Sequence, residues 1–383
     1  MTDHSLRKVA IVHDFFYWYG GADFVVKKLT QLFPNADVFV GFKHPKYNCW
    51  LPKEVNYTIV NKLPFKFILA PIYELLLPFA FENLDLQDYN LIISSSNIFA
   101  KGIVTKPSAI HLAYIHTTPR FLWGLTTSRQ SKYKMFSPIL LTINHFLRIW
   151  DYYSAQRPTI LIANSKEVQR RIKKHYKRDS VIIHPPFDVK HSFSRKISRA
   201  KNLYITLGRL VKYKNLDIVV KYFSKHPKRE LVIIGKGDQR DYLEKLTRDS
   251  TNIKFLGFIS NKEKYEYLFK ARALIHLSHE DFGIVSVEAL ACGTPVIGLN
   301  SGGTAEIIRD GKTGILLDKP TEQNLNNAIN KFEKTQFDEK TLKNVATKYN
   351  TNNFNRRILN LIKQQEAKVK TLKKTPKCDI IDK

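Results

Sequence analysis

The chain has 383 residues, with 62 Lys and Arg against 34 Asp and Glu, a net charge of +28, and a composition 43% hydrophobic and 12% aromatic. That length and apolar content suit two packed cores and exclude a wholly disordered chain. Cys49, Cys292 and Cys378 stand far apart with no CxxC spacing, which argues against a disulfide framework or a cysteine-based zinc site and for a cytoplasmic protein.

The charge attracts polyanions, whether nucleic acid, anionic lipid headgroups or phosphorylated substrates. Because the basic residues run from Arg7 to Lys383, it is read first as a general property of the surface.

In chain order, "MTDHSLRKVAIVHDFF" has too short an apolar run for a signal peptide, with His13 and Asp14 interrupting it. "KVAIVH" (8–13) is a predicted strand, and "YGGAD" (19–23) follows it, where Gly20 and Gly21 let backbone approach a ligand closely. "PFKFILAPIYELLLPFAF" (64–81) is apolar but carries Lys66, Glu74, Pro64, Pro71 and Pro78, which break a spanning helix. "LIISSS" (91–96) is a strand, with Ser94 to Ser96 read as a helix cap in preference to acceptor contacts. In "HLAYIHTTPRFLWG" (111–124) a strand ends at His116, followed by Pro119, Arg120 and Trp123. A second apolar segment is "MFSPILLTINHFLRIW" (135–150), which suits either a packed helix or a membrane surface. "TILIANS" (159–165) and "SVIIH" (180–184) are strands flanking the capped basic helix of "ANSKEVQRRIKKHY" (163–176), expected to pack at a domain edge.

A proline pair and a basic polar stretch, "PPFDVKHSFSRKISRAKN" (185–202), mark the domain division. Six further strands follow: "LYITLG", "LVIIGKG", "IKFLGF", "ALIHLS", "PVIGL" and "TGILL". Strand and helix patterns alternating in this way predict an α/β protein with two doubly wound, Rossmann-like domains facing a central cleft. The expected domains are 1–190, 191–350, and a C-terminal helix with a basic tail at 351–383, the helix losing its periodicity after Lys363.

The densest chemistry is in "HEDFGIVSVEALACGTPVIG" (279–298). A strand, a loop and a helix closed by Gly293 and Pro295 put Glu280 at the carboxyl end of a parallel strand, where open α/β sheets bind ligands. The helix offers unpaired amides at Gly283, Ile284 and Val285, which suit a phosphate, and Glu288 leans back toward them. Two carboxylates beside a phosphate site accept hydrogen bonds from sugar hydroxyls. Upstream, "LGRLVKYKN" (207–215) supplies Arg209 and Lys214, cations fit to neutralise a departing diphosphate.

With "GRLVKYK", "GKGD" (235–238), "GFIS" (257–260), "EDFGIVSVEALACGTPVI" and "GGTAEII" (302–308), the chain resembles the retaining glycosyltransferases of the GT-B fold, family 4. The resemblance runs over nearly the whole chain. It implies that Arg209 and Lys214 hold the donor diphosphate, Glu288 the ribose and Glu280 the transferred sugar. Backbone around Phe282, Gly283, Ile284 and Val285 then contacts sugar and phosphates. The 111–124 run is similar to the "HTPxRxxW" pattern of bacterial mannosyltransferase-like members, which implies that His116 contacts the donor sugar. Two departures stand out: Asp23 where members usually carry glutamate, and Thr118 where they carry proline.

The expectation is therefore a hexosyltransferase moving mannose from GDP-mannose to a glycan or lipid-linked acceptor for surface polysaccharide. It acts at the cytoplasmic face, peripheral on an anionic membrane surface, with no cofactor and no metal. The alternatives are an epimerase or phosphorylase of the same fold, for which no catalytic acid pair or cofactor lysine is visible, or a polyanion-binding protein. No nucleic-acid module is recognisable.

Overall fold

The structure, a computed structural model, describes residues 8–17, 20–45, 47, 50, 52, 54–63, 70–124, 137–188 and 198–374. Cys49, Cys378, residues 64–69, 129–136 and most of the 185–202 linker region's centre (189–197) lie outside the described residues.

Two sheets form the frame. The first contains β1 (Val9–Phe16), β2 (Asp37–Lys43), β3 (Asn56–Tyr57), β4 (Leu91–Ser96), β5 (Ile110–Ile115), β6 (Ile160–Ala163) and β7 (Ser180–Ile182), in the order β3-β2-β1-β4-β5-β6-β7. The second contains β8 (Leu203–Leu207), β9 (Glu230–Ile234), β10 (Ile253–Gly257), β11 (Ala273–His276), β12 (Val296–Leu299) and β13 (Gly314–Leu317), in the order β10-β9-β8-β11-β12-β13. β1 pairs in parallel with β2 and β4, and β8 with β9 and β11. In each sheet the strand order reverses beside the first strand. The crevice outside the carboxyl ends at such a switch point is where ligands bind in this architecture.

These are two parallel-sheet, Rossmann-like α/β domains. Contacts divide the chain into two compact units, Met1–Tyr114 with Tyr153–Ile162 and Thr351–Lys383, and Ile115–Tyr152 with Ala163–Asn350.

The second sheet shows why the strands read as unbroken apolar runs. Side chains alternate between faces, and both faces are covered by helices. Ile205, Leu207, Val232 and Leu274 pack against Val287, Leu290, Leu342 and Val345 on one side. Tyr204, Leu231, Ile233 and Ile275 pack against Val219, Phe223, Leu325 and Ile329 on the other.

Two expectations need correction and one holds. Ser94 to Ser96 cap no helix: they are buried within β4, where Ser94 Oγ bonds His111 Nε2 at 2.8 Å and Ser95 meets His13 Nδ1. Pro78 lies inside α2 (Ala70–Glu82), a helix of 13 residues that is too short to span a membrane, in line with the reading of 64–81. The C-terminal helix does not fray after Lys363; it runs Thr351–Lys374. The apolar stripe of Phe354, Ile358, Leu361 and Ile362 is continued by the buried Gln365, and the residues beyond are good helix formers.

Candidate functional site

The site is built where β8 and β11 lie side by side. β8 ends at Leu207, and Gly208 turns away with φ +133°, a left-handed conformation that favours glycine. A Cβ there would stand 3.0 Å from Lys214 Nζ, so this glycine also makes room for the lysine. Lys214 closes a single 3-10 turn (Lys212–Lys214), and the next residue, Asn215, donates from Nδ2 to the Leu277 carbonyl at 2.7 Å. The ends of the two central strands are thereby tied together.

From the β11 side comes Glu280. Its Oε1 accepts from Lys214 Nζ at 2.7 Å and from Ser278 Oγ at 2.7 Å, and His276 Nε2 is 3.6 Å away. Burial alone would raise this carboxyl's pKa, but Lys214 and His276 outweigh it and hold it well below the usual range. All three groups converge on Oε1, which leaves Oε2 as the acceptor for a further donor. His276 is oriented by its Nδ1, 3.0 Å from Ser286 Oγ.

The helix α8 (Ile284–Ala291) starts behind Gly283, whose φ is +88°. Here the left-handed turn delivers the chain from strand loop to helix with the first-turn amides of Ile284 and Val285 at its mouth. Thr304 Oγ1 would be 3.1 Å from a Cβ on Gly283, and it is buried without a hydrogen-bond partner among the described residues. A buried polar atom of this kind ordinarily finds a partner, so it marks this spot as suited to a polar guest. The Phe282 side chain belongs to the core, edge-on to Tyr349 at 5.4 Å; only its backbone is available to a ligand.

The other sequence candidates are distributed differently. Glu288 lies in α8 and pairs with Lys264 at 2.7 Å, so each glutamate of the motif has its own lysine. Arg209 is exposed and forms no side-chain hydrogen bond or ion pair among the described residues. His116 is buried just beyond β5, its carbonyl accepting from Asn164 Nδ2 at 2.8 Å. Gly20 and Gly21 open α1 (Gly21–Leu32) in the other unit, with Gly20 N donating to Asp23 Oδ2 at 2.8 Å. Asp23 thus caps this helix; burial pushes its pKa up against the opposing pull of His13, 3.9 Å away. Among the described residues no group of three or more His, Cys, Asp or Glu is placed to hold a metal ion.

Sequence reasoning missed the groups that flank Glu280. His279 and Asp281 carry ion pairs to Glu167, Arg171 and Arg120. The only trace was the arginine of the 111–124 run and the basic helix after Ser165, which gave no hint of these partners.

The fold is that of GT-B glycosyltransferase structures. Sucrose-phosphate synthase from Thermosynechococcus elongatus superposes with a TM-score of 0.73 at 16% identity, over 94% of this chain and 100% of that one. The Anabaena protein HepE, solved in complex with UDP-glucose, gives 0.66 at 18% identity, over 93% and 99%. Residues 188–353 match the family described as glycosyl transferases group 1. An uncharacterized glycosyltransferase of Methanocaldococcus jannaschii is 34% identical over 145 residues, 34% of this chain and 37% of that protein. The alignment thus spans little more than a third of that relative's length.

Proposed function

We propose that the protein is a retaining glycosyltransferase that moves a hexose from a nucleotide-sugar donor to a glycan hydroxyl. The observation that carries this reading is Glu280 at the β8/β11 switch point, with Oε1 fixed by Lys214 and Ser278 and Oε2 left to accept from a donor hydroxyl. The group 1 match over 188–353 contains this whole arrangement.

In this reading the donor diphosphate lies between the first-turn amides of α8 and the two cations Arg209 and Lys214. Glu280 orients the sugar, Glu288 accepts from the ribose hydroxyls, and His116 steadies the donor. As the anomeric carbon–oxygen bond breaks, the cations stabilise negative charge growing on the diphosphate. The leaving oxygen takes the acceptor proton on the same face, so configuration is retained. No metal is required, because Arg209 and Lys214 supply the positive charge.

GDP-mannose is the donor favoured by the motif resemblance, and UDP-glucose the one favoured by the HepE complex. Thermal unfolding of the full chain against both, with UDP-galactose and the free diphosphates, tests the reading. A rise in Tm with at least one nucleotide sugar, and transfer with a retained anomer, is the expected result. No stabilisation by any of them, with salt-sensitive binding of RNA instead, would establish the polyanion-binding alternative.

An acceptor linked to lipid is favoured by a specific feature. On α3 (Ser137–Ser154), Phe146, Ile149 and Tyr153 recur on one face and are exposed, as is Leu141. No helix among the described residues is long and apolar enough to cross a membrane. An exposed apolar face on a chain of net charge +28 suits the surface of an anionic bilayer. Co-sedimentation with anionic vesicles at low salt, weakened at high salt, is expected; protein left in the supernatant at low salt would favour a soluble acceptor.

A further inference from the structure

We propose that Glu167, Arg171 and Arg120 are positioning residues that fix Glu280 by gripping the residues on either side of it. The proposal rests on the reading of Glu280 as a donor-sugar contact.

The three consecutive side chains divide their partners. Glu280 turns to Lys214 and Ser278. His279 and Asp281 both turn to another set of groups, supplied by the start of α4 (Lys166–Tyr176) and by Arg120. His279 Nε2 meets Glu167 Oε1 at 3.1 Å, while its Nδ1 is 3.0 Å from Ser301 Oγ. Arg171 Nε donates to Glu167 Oε1 at 2.7 Å, and its Nη1 pairs with Asp281 Oδ1. Arg120 Nη2 reaches Asp281 Oδ2 at 3.0 Å and the His279 carbonyl at 3.3 Å.

The backbone is held as well. Ser165 Oγ donates to the Asp281 carbonyl, and the Glu280 carbonyl accepts from Gly303 N at 2.9 Å. Arg120 also lies 4.9 Å over the ring of Tyr213, which adjoins Lys214. One guanidinium therefore braces both loops that meet in the Glu280–Lys214 pair.

Stability alone does not call for this arrangement. Arg171 is 2% exposed and Glu167 9%, and buried ion pairs are commonly matched or bettered in stability by apolar residues of equal volume. What charged, hydrogen-bonded groups add here is a single geometry for residues 279–281. A reacting group misplaced by about 1 Å can lose roughly 10²-fold in rate, so such a grip has its effect through Glu280.

The test uses the full chain carrying Asp281→Asn, Arg171→Met or Glu167→Gln, with Arg171→Lys as the conservative variant. Amide hydrogen exchange over residues 277–283 is expected to rise about tenfold in the first three while the β8–β10 strands stay protected. Transfer from the donor that stabilises the wild type is expected to fall about tenfold, with GDP and UDP affinities by calorimetry within about twofold, and Arg171→Lys recovering part of the loss. In a Glu280→Ala background, Asp281→Asn is expected to cost less than about twofold, since the residue through which it acts is gone. Unchanged exchange over 277–283, or the same fold-loss in both backgrounds, would overturn the proposal. Should Arg171→Met not fold, Asp281→Asn, at a less buried position, carries the test. A wild type that transfers from no nucleotide sugar would refute the proposed function, and the exchange data would still decide whether the loop is gripped.

Discussion

Asp14, near the carboxyl end of β1, and Glu280, in the loop just after β11, are carboxylates that each lie beside a switch in strand order, yet they are held in opposite ways. Asp14 is fully buried and accepts from four backbone amides: Asn97, Ile98 at 2.8 Å, Phe99 at 2.8 Å and Ala100 at 2.6 Å. Those amides belong to the turn after β4, so Asp14 welds the ends of β1 and β4 together. Glu280 is held by side chains, a lysine on a flexible stem and a serine hydroxyl, all on one oxygen. A carboxylate saturated by backbone amides has no capacity left for a ligand. One held by side chains on a single oxygen keeps its other oxygen for a ligand.

The contrast is broken most directly by removing each carboxylate. Asp14→Ala strips four amides of their acceptor, each buried unsatisfied group costing about 1–3 kcal/mol, so a loss of at least roughly 4 kcal/mol is expected. Urea unfolding should show a chain that is marginal or unfolded. Glu280→Gln should cost only about 1 kcal/mol, since the amide oxygen can still accept from Lys214 and Ser278, while transfer falls by roughly 10². Equal stability losses in the two variants would erase the distinction.

The same comparison is sharpened by the two cations. Lys214→Ala leaves Glu280 buried without its cation and should destabilise by roughly 3 kcal/mol as well as lowering transfer by about 10². Arg209→Ala removes an exposed side chain, so transfer should fall comparably with the urea midpoint unmoved. Transfer near wild type in both variants would remove the diphosphate assignment. Glu288→Ala should weaken GDP and UDP binding by about 1–3 kcal/mol through lost ribose hydrogen bonds. Calorimetry showing wild-type affinity for both nucleotides would end that role.

How much of this was legible in the sequence depended on distance along the chain. β8 is buried on both faces and so reads as a largely apolar run. The 279–298 segment displays its strand, loop and helix locally, and its glutamates were visible for that reason. Asp14 looked like nothing more than an interruption in an apolar run, because its amide partners lie 83 to 86 residues away. The partners of Asp281 lie 110 and 161 residues away and those of Glu288 only 24, but none is fixed by local periodicity. Ser94 to Ser96 misled for a related reason: polar residues at a strand end resemble a cap until His13 and His111 are seen to face them.

The smallest expected effect concerns acid, and it separates the flank of Glu280 from a merely solvated salt bridge. Burial alone would raise the Glu167 pKa, but His279, Arg171 and Arg170 outweigh it and bring it to about 2, against 4.5 for an ordinary glutamate. A depressed folded-state value means that the carboxylate stabilises the fold fully above pH 4.5, and that the contribution fades as pH falls from about 4.5 to about 2. Arg170 is largely exposed and water screens its share, so the contribution is roughly 1–3 kcal/mol and not the full value of the shift. Urea unfolding at pH 6.5, 4.5 and 3 should therefore show Glu167→Gln less stable than wild type at the first two values, with the gap narrowing at the third. Arg171 is buried beside it, so about 0.5 M salt should leave most of the gap at pH 6.5 in place. A gap that salt abolishes would make Glu167 a surface pair, and a gap independent of pH would mean that its ionisation does not matter to the fold.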